Sequence, residues 1–485
     1  MSMLGGCDLA TATARTTEDN RILFMRYVST RGGADPVDFV TASLAGLAPD
    51  GGLYTPEAFP QIERPSADEP YHVTAARIIK AFAGDSLSLE TLTELSRKAY
   101  AAFSHQSVAP LVQTGQNQWM MELHHGPTLA FKDVAMRFIA QLYEHALGER
   151  GERMTIICAT SGDTGGAAAA AFAGLEHVDV VILHPHDRIS PVQRVFMSAT
   201  GADNIHNLAL EGDFDQCQAI VKALFADEQT RRSLNLSGVN SINWTRIAAQ
   251  SVYFATAQAQ LGADRPLRFV VPSGNFGDAL AGYVAARCGL LAGFECHVAV
   301  NANDAMKQLL NGGDMQKGTT TPTASPAMDI QIPSNFERLL FEATGRDGAV
   351  VKAAYDQLAA KGVAPLPERA AGVLGCMGFK ASSVSDKETF IEMRKTLDET
   401  GWLVCPHTAV GLHAARHAPS DIASVVLSTA HAAKFPETVK QATEQDAPLP
   451  IRAHGFVERD EVYETGPMEL SHVRDRLRAL SRVSS

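Results

Sequence analysis

The sequence predicts an α/β fold in which helices cover parallel sheets on both faces. From about residue 105, short apolar runs typical of buried strands alternate with helical patterns, and glycine-rich turns join several of the pairs. Such alternation is typical of parallel sheets. Because ligands in these folds gather at the carboxyl ends of the strands, we expect the functional residues in the loops that follow them.

Five apolar runs predict the strands and two alanine-rich runs predict helices behind the glycine turns. The strand runs are residues 154–159, 178–183, 267–271, 296–300 and 424–427, and the helical runs are residues 167–173 and 279–288.

Length and charge limit the classes of protein. A chain of 485 residues is too long for one ordinary core, so we expect two or three domains. A formal net charge of −12 argues against nucleic acid or an anionic membrane surface as the main partner. The sequence has no run of about 18 apolar residues, so it predicts no membrane span.

The seven cysteines form no C-x-x-C pair and are irregularly spaced. The pattern does not indicate a disulfide framework or a zinc ribbon, and it favours a reducing compartment such as the cytoplasm. His413 and His417 have i,i+4 spacing but lack an H-E-x-x-H pattern, so we interpret them as surface histidines and predict no metal site.

Composition divides the chain into four parts. We expect residues 1–24 to be a disordered leader or to precede the true start at Met25. Residues 25–104 read as an α-rich N-terminal domain with helices near 73–82 and 89–103, and residues 105–443 as the main catalytic region. Residues 444–485 form a polar C-terminal segment ending in a basic helix. Within the main region, residues 312–335 read as a surface or mobile connection.

Lys132 is the most informative residue. Residues 123–133 read Leu-His-His-Gly-Pro-Thr-Leu-Ala-Phe-Lys-Asp, and an apolar helical pattern follows. Desolvation and a helix N-terminus both disfavour the ammonium form, so this lysine can supply a free amine near neutral pH. A free amine forms a Schiff base with an aldehyde. The natural aldehyde is pyridoxal 5′-phosphate, which also needs a phosphate cradle and a partner for its ring nitrogen.

Two glycine-rich turns are candidate anion cradles. Residues 272–278 read Pro-Ser-Gly-Asn-Phe-Gly-Asp, and the free amides of the following helix suit a phosphate; a plain strand-to-helix turn is the alternative. Residues 160–166 read Thr-Ser-Gly-Asp-Thr-Gly-Gly and suit a carboxylate, with Asp163 placed to contact a cofactor hydroxyl. Here the alternative is a helix cap by Ser161 or Asp163.

Two further segments carry polar groups. Residues 240–246 combine amides, hydroxyls and Arg246, whose guanidinium suits a phosphate, although a solvated arginine near a helix start is the alternative. Thr429 follows the last strand run, and its hydroxyl can bond a pyridine nitrogen without protonating it. The alternative is a threonine that merely closes a strand.

Taken together, these segments resemble the threonine synthase family, pyridoxal-phosphate enzymes of fold type II. The resemblance covers roughly residues 25–442 and rests on eight pieces in family order. They are residues 26–32, 51–54, 122–133, 159–165, 240–243 with Arg246, 272–278, 406–411, and 428–431 with Lys434 and Phe435. It implies two open parallel-sheet, three-layer αβα subdomains with the cofactor in the cleft between them, and an α-rich N-terminal region.

The resemblance also implies roles. Lys132 would form the Schiff base, Asp163 would lie near the ring hydroxyl and Thr429 would face the pyridine nitrogen. The cofactor phosphate would be held by Ser273, Gly274, Asn275, Phe276, Gly277 and Asp278. The substrate carboxylate would be held by Thr160, Ser161 and Thr164, and the substrate phosphate by Asn240, Ser241 and Arg246.

The implied reaction converts O-phospho-L-homoserine and water to L-threonine and phosphate by γ-elimination and β-addition, in a monomer or homodimer. A related phospho-lyase giving 2-oxobutyrate, ammonia and phosphate is the nearest alternative. A nucleotide-binding sensor or dehydrogenase would need a G-x-G-x-x-G loop, and neither glycine turn has that spacing. A catalytically inactive binding protein of the same fold also remains open.

Overall fold

The computed structural model describes residues 25–160 and 162–483 of the chain. The expected leader, residues 1–24, lies outside the described residues. Among the described helices, none combines the length and apolarity that crossing a bilayer requires.

The described strands form two large sheets and two small antiparallel ribbons. A six-stranded sheet has the order β13-β10-β9-β14-β4-β3, and a five-stranded sheet has the order β15-β7-β6-β5-β8. All neighbours pair in parallel except the edge pair β3–β4. The strands are β1 (Tyr27–Ser29), β2 (Tyr54–Pro56), β3 (Leu111–Gly115), β4 (Gln118–Glu122), β5 (Met154–Ala159), β6 (Val178–Pro185), β7 (Ile205–Glu211), β8 (Leu236–Ser237), β9 (Leu267–Pro272), β10 (Glu295–Val300), β11 (Met315–Gln316), β12 (Val363–Ala364), β13 (Phe379–Ser383), β14 (Ala423–Ser428) and β15 (Glu464–Pro467).

Helices precede the sheets in the N-terminal region and then cover them. They are α1 (Phe39–Ala45), α2 (Tyr71–Ala83), α3 (Leu89–Tyr100), α4 (Lys132–Arg150), α5 (Asp163–Phe172), α6 (Pro191–Ser198), α7 (Phe214–Ala226), α8 (Glu228–Ser233), α9 (Trp244–Leu261), α10 (Gly277–Arg287), α11 (Ala305–Leu310), α12 (Phe336–Ala343), α13 (Gly348–Lys361), α14 (Glu368–Leu374), α15 (Asp386–Thr400), α16 (Pro406–Arg416), α17 (Pro436–Thr443), α18 (Ile451–Val457) and α19 (Leu470–Leu480). Short 3₁₀ turns lie at Gly84–Ser86, Pro326–Met328 and Ala432–Lys434.

Both sheets are covered on both faces, as the apolar strand runs predict. In β9, Phe269 and Val271 join the main core with Phe254 of α9, whereas Val270 joins a second core with Val410 of α16. Neighbouring strand residues point to opposite faces, so helices must lie on each side. The five-stranded sheet follows the same rule, because α7 and α19 pack on the face opposite the main core. The α/β class with two open sheets is confirmed.

The predicted elements agree with the structure apart from one helix start and one connection. α5 begins at Asp163, four residues before the predicted start, because the Thr160 hydroxyl accepts the amides of Gly162 and Gly165 at 3.0 Å each. The expectation that residues 312–335 form a surface or mobile connection is wrong for their second half. Met328 and Asn335 are buried there, since this stretch packs against the loop that follows β9.

Residues near both ends of the described chain are held to the rest of the fold by specific contacts. Arg31 donates two hydrogen bonds to Glu337 of α12, each 3.0 Å long, and Arg338 donates to the Tyr54 carbonyl. At the other end, β15 adds a parallel strand beside β7. The C-terminal segment therefore completes the second sheet.

Candidate active site

Lys132 is the first residue of α4 and lies beside the end of β14. The Phe131 amide donates to the Thr429 carbonyl at 2.8 Å, which ties the lysine to the strand end. The lysine side chain is 13% exposed, and its Nζ lies 3.4 Å from Asp163 Oδ2. Burial lowers the pKa of Lys132 below its usual value, although the charge of Asp163 opposes this. Lys434 and Arg246 act in the same direction as burial and favour the free amine.

Asp163 lies between two lysines at the start of α5. Lys434 Nζ is 2.8 Å from Asp163 Oδ1, Lys132 approaches Oδ2, and Gln193 of α6 donates to Oδ1 at 3.0 Å. Burial alone would raise the pKa of Asp163, but the two ammonium groups and the hydrogen bonds hold it well below its usual range. The carboxylate is ionised and shared.

The turn after β9 has the features of an anion cradle. Within the described part of the chain, the amides of residues 274–277 donate no hydrogen bond, and the buried Ser273 hydroxyl has no partner. Phe276 adopts a left-handed backbone (φ 62°) directly before the start of α10. Gly274 is required because a Cβ there would lie 2.6 Å from the Ala327 carbonyl oxygen. Four free amides and one hydroxyl suit a phosphate.

Asp278 lies in the first turn of α10, below that cradle. Burial raises its pKa to about 7, although hydrogen bonds and neighbouring cations oppose the shift. Gln250 donates to its Oδ1, and the Tyr253 hydroxyl donates to the same oxygen at 3.1 Å. A carboxyl that is largely neutral below pH 7 does not repel a neighbouring phosphate, so Asp278 is compatible with its predicted place beside the cofactor phosphate.

Arg246 occupies the first turn of α9 and is buried. One of its terminal nitrogens donates to the Val239 carbonyl at 3.2 Å, and its Nε has no partner. Burial lowers the pKa of Arg246, and its charge acts on Lys132 and Asp278. Earlier in the same segment, Ser241 is half-buried and Asn240 is exposed. This guanidinium has donors left for an anion.

Two residues of the 312–335 connection join the segment that carries Arg246 to the turn after β9. The Asn335 side chain donates to the Ser241 carbonyl at 3.0 Å and to the Asn275 carbonyl at 3.2 Å. The Ser334 hydroxyl lies 3.2 Å from the Ser241 hydroxyl and donates to Asn275 Oδ1 at 3.1 Å. The segment around Arg246 and the turn after β9 are therefore held in one fixed geometry.

The other predicted residues that the structure describes follow β5 and β14. Thr160 is buried and its hydroxyl already accepts two amides, whereas Thr164 is half-buried on the first turn of α5. Ser161 lies outside the described residues. Thr429 is buried directly after β14.

Sequence reasoning missed the supporting residues. It assigned no role to Lys434, Gln193 or Asn335. Lys434 carries a signal, because a lysine between alanine and phenylalanine just after a buried strand is unusual for a surface residue. Gln193 and Asn335 carry none, since their partners lie 30 or more residues away.

The buried His407 was also missed. Its Nε2 accepts the Ala327 amide at 3.2 Å and its Nδ1 has no partner. Burial lowers its pKa to about 4, so the ring is neutral near pH 7.

A buried lysine and a turn with unpaired amides, both at the carboxyl ends of parallel strands, are the arrangement expected of a pyridoxal-phosphate-dependent enzyme. The family model described as "Pyridoxal-phosphate dependent enzyme" matches residues 106–381, and those described as "Threonine synthase N terminus" and "Threonine synthase, C-terminal" match residues 26–100 and 408–476. The chain belongs to the threonine synthase family of these enzymes.

Individual relatives agree with this family. The threonine synthase of Pseudomonas aeruginosa is 43% identical over 93% of this chain and 97% of its own length, and that of Escherichia coli is 36% identical over 88% and 93%. The crystal structure of PLP-bound threonine synthase from Brucella melitensis superposes with a TM-score of 0.90 at 44% identity, covering 94% of this chain and 100% of that one. The yeast enzyme gives 0.87 at 33% identity, covering 94% and 99%.

Proposed function

We propose that this protein converts O-phospho-L-homoserine and water to L-threonine and phosphate, the last step of threonine biosynthesis. The observation that carries the proposal is a pair of separate anion cradles around one buried amine. The free amides of residues 274–277 form the first, and Arg246 at the start of α9 forms the second. One phosphate belongs to the coenzyme, so a second cradle calls for a phosphorylated substrate.

The residues present fit pyridoxal phosphate. Lys132 would carry the coenzyme on its amine, as a Schiff base, and Ser273 with the amides of Gly274, Asn275, Phe276 and Gly277 would hold its phosphate. When bound, the coenzyme supplies an electron sink for the pair left at Cα when a proton departs.

The ring of the coenzyme would meet two different partners. Thr429 would offer its hydroxyl to the pyridine nitrogen, which keeps that nitrogen unprotonated. Asp163 would face the ring hydroxyl with its charge balanced by Lys434.

Lys132 also moves protons in this proposal. Its amine takes the Cα proton and later transfers protons at Cβ, and a lowered pKa suits both tasks because the free base must be available near neutral pH. A positioned proton-transfer group contributes roughly 10²–10⁴ in rate.

The substrate is bound at both ends, through its phosphate and through its carboxylate. Arg246, Ser241 and Asn240 bind its phosphate, and the turn carrying Thr160, Ser161 and Thr164 binds its carboxylate. Because Asn335 donates to the carbonyls of both Ser241 and Asn275, it would hold the two anion sites in place relative to each other.

The decisive experiment is incubation of the purified protein with O-phospho-L-homoserine and pyridoxal phosphate while phosphate and threonine are followed together. We expect them in equal amounts. Phosphate with 2-oxobutyrate and ammonia would assign the phospho-lyase instead, and absence of any product would favour an inactive binding protein.

We also propose a cytoplasmic enzyme, monomeric or homodimeric. The buried, unpaired thiols of Cys158, Cys217, Cys288, Cys296 and Cys405 support a reducing compartment. Sedimentation equilibrium of the purified protein measures the number of subunits.

A further inference from the structure

Lys434 ends the 3₁₀ turn after β14 and is 1% exposed. Its ammonium contacts Asp163 Oδ1 at 2.8 Å, donates to the Thr128 carbonyl at 2.9 Å and lies 5.5 Å from the centre of the Phe196 ring. The side chain is therefore held on three sides. Lys132 reaches the other oxygen of the same carboxylate at the longer distance of 3.4 Å.

One lysine is enough to neutralise a buried aspartate, and a second buried ammonium carries a further desolvation cost. The presence of two ammonium groups on one carboxylate therefore calls for a functional explanation. Lys132 must give up its charge to react as a free amine, and at that moment Asp163 would lose its only counter-ion if Lys434 were absent.

We propose that Lys434 is a positioning residue for the reaction: it serves as the permanent counter-ion of Asp163 and so leaves the Lys132 amine free to go to the coenzyme and to the substrate. The inference rests on the proposed function for the role of Lys132. It adds a residue that touches neither proton-transfer step and acts through Asp163.

The charges around Lys132 define the expected direction. Asp163 favours its ammonium form, and Lys434 and Arg246 favour the free amine. Asp278 and His407 also face it electrostatically, and His407 is neutral near pH 7. Without Lys434, Asp163 would bind Lys132 alone and would hold it in the charged form.

The test reads the protonation of the Lys132 nitrogen in two ways that do not depend on turnover, once with the coenzyme bound to it and once as the free amine. In the full-length holoenzyme, the coenzyme absorbance is titrated against pH. In the same chain stripped of coenzyme, reductive methylation of Lys132 by formaldehyde and cyanoborohydride is followed by peptide mass spectrometry. For Lys434→Met we expect both titrations to move to higher pH and methylation at pH 7.5 to slow at least about tenfold, the change that one pKa unit produces.

Two comparisons separate charge from packing. Lys434→Arg keeps the cation and should restore most of the wild-type profile. Lys440→Met, the same change at a lysine with a 53% exposed side chain on α17, should alter neither titration. Lys434→Gln replaces the methionine variant if that one does not fold.

A double variant gives the sharpest outcome. Asp163→Asn together with Lys434→Met removes both charges, so Lys132 should regain a methylation rate near that of the wild type. Unchanged Lys132 titrations in Lys434→Met, or a double variant as slow as the single one, would overturn the proposal. Methylation needs neither coenzyme nor substrate, so its rate tests the role of Lys434 alone. A protein that forms no threonine would contradict the proposed function without changing the methylation result.

Discussion

Arg246 offers the clearest test of the proposed substrate site. Its guanidinium is buried, uses one terminal nitrogen on the Val239 carbonyl and leaves Nε without a partner. No carboxylate of the described residues lies within ion-pair distance of it. A buried cation without an ion-pair partner is energetically costly unless a bound anion supplies one.

The expected magnitude follows from the donors that remain. Guanidinium has five N–H groups, and among the described residues only one of those of Arg246 has a protein partner. A hydrogen bond to a charged group contributes about 1.5–3 kcal/mol, so loss of one such bond in Arg246→Ala should lower kcat/KM for O-phospho-L-homoserine by roughly 10- to 150-fold. Coenzyme absorbance should survive, because its phosphate is assigned to the turn after β9.

The assay is the initial rate of phosphate and threonine formation, with an absorbance spectrum of each protein. Arg246→Lys keeps the charge but loses the planar fork, and we expect an intermediate loss. Arg231→Ala, at an exposed arginine of α8, is the matched control and should behave as the wild type. Lost absorbance with an unchanged KM would mean that the two phosphate sites are exchanged, and unchanged kinetics would refute the assignment altogether.

Three further changes probe the rest of the site. Lys132→Ala should lower kcat by at least roughly 10²-fold, measured as threonine formation, while the fold persists by circular dichroism. Gly274→Ala should weaken retention of pyridoxal phosphate on dialysis, because the new Cβ meets a carbonyl oxygen at 2.6 Å. Asp278→Asn should raise the melting temperature more at pH 8.5 than at pH 5. The pKa of Asp278 in the fold, about 7, lies above its unfolded value, so the stability from its protonated form is complete at low pH and is lost as pH rises through 7. An equal melting temperature of variant and wild type at pH 8.5 would show that the fold does not raise the pKa of Asp278.

Much of the fold was predictable because its signals are local. Buried parallel strands produce uninterrupted apolar runs, and β5 matches its predicted run of residues 154–159. The start of α5 was missed for a specific reason. Glycine and threonine read as a turn, but the hydroxyl of Thr160 closes that turn directly onto the helix.

The site residues also divide into those with a local sequence signal and those without one. Lys132 and the turn after β9 have sequence signals, since a lysine at a helix start and paired glycines before a helix each have a local physical meaning. Asn335 was unpredictable because its partners Ser241 and Asn275 lie 94 and 60 residues away. Composition even pointed the wrong way, since a stretch rich in threonine, proline and serine reads as surface, whereas here it lines the site.

Unsatisfied polar atoms link these observations. The Ser273 hydroxyl, Arg246 Nε and His407 Nδ1 are buried without partners, and an unpaired buried group costs about 1–3 kcal/mol. Orphaned atoms also occur elsewhere in the described residues, for example at Tyr71 and Tyr355, so an orphan alone does not mark a site. What separates the candidate site is that its orphans lie with four amides that donate no hydrogen bond among the described residues and with a carboxylate shared by two lysines. We expect a bound phosphate to supply partners for the Ser273 hydroxyl and the Arg246 guanidinium. Ligand binding and stability are therefore coupled, and the loaded protein should be the more stable form.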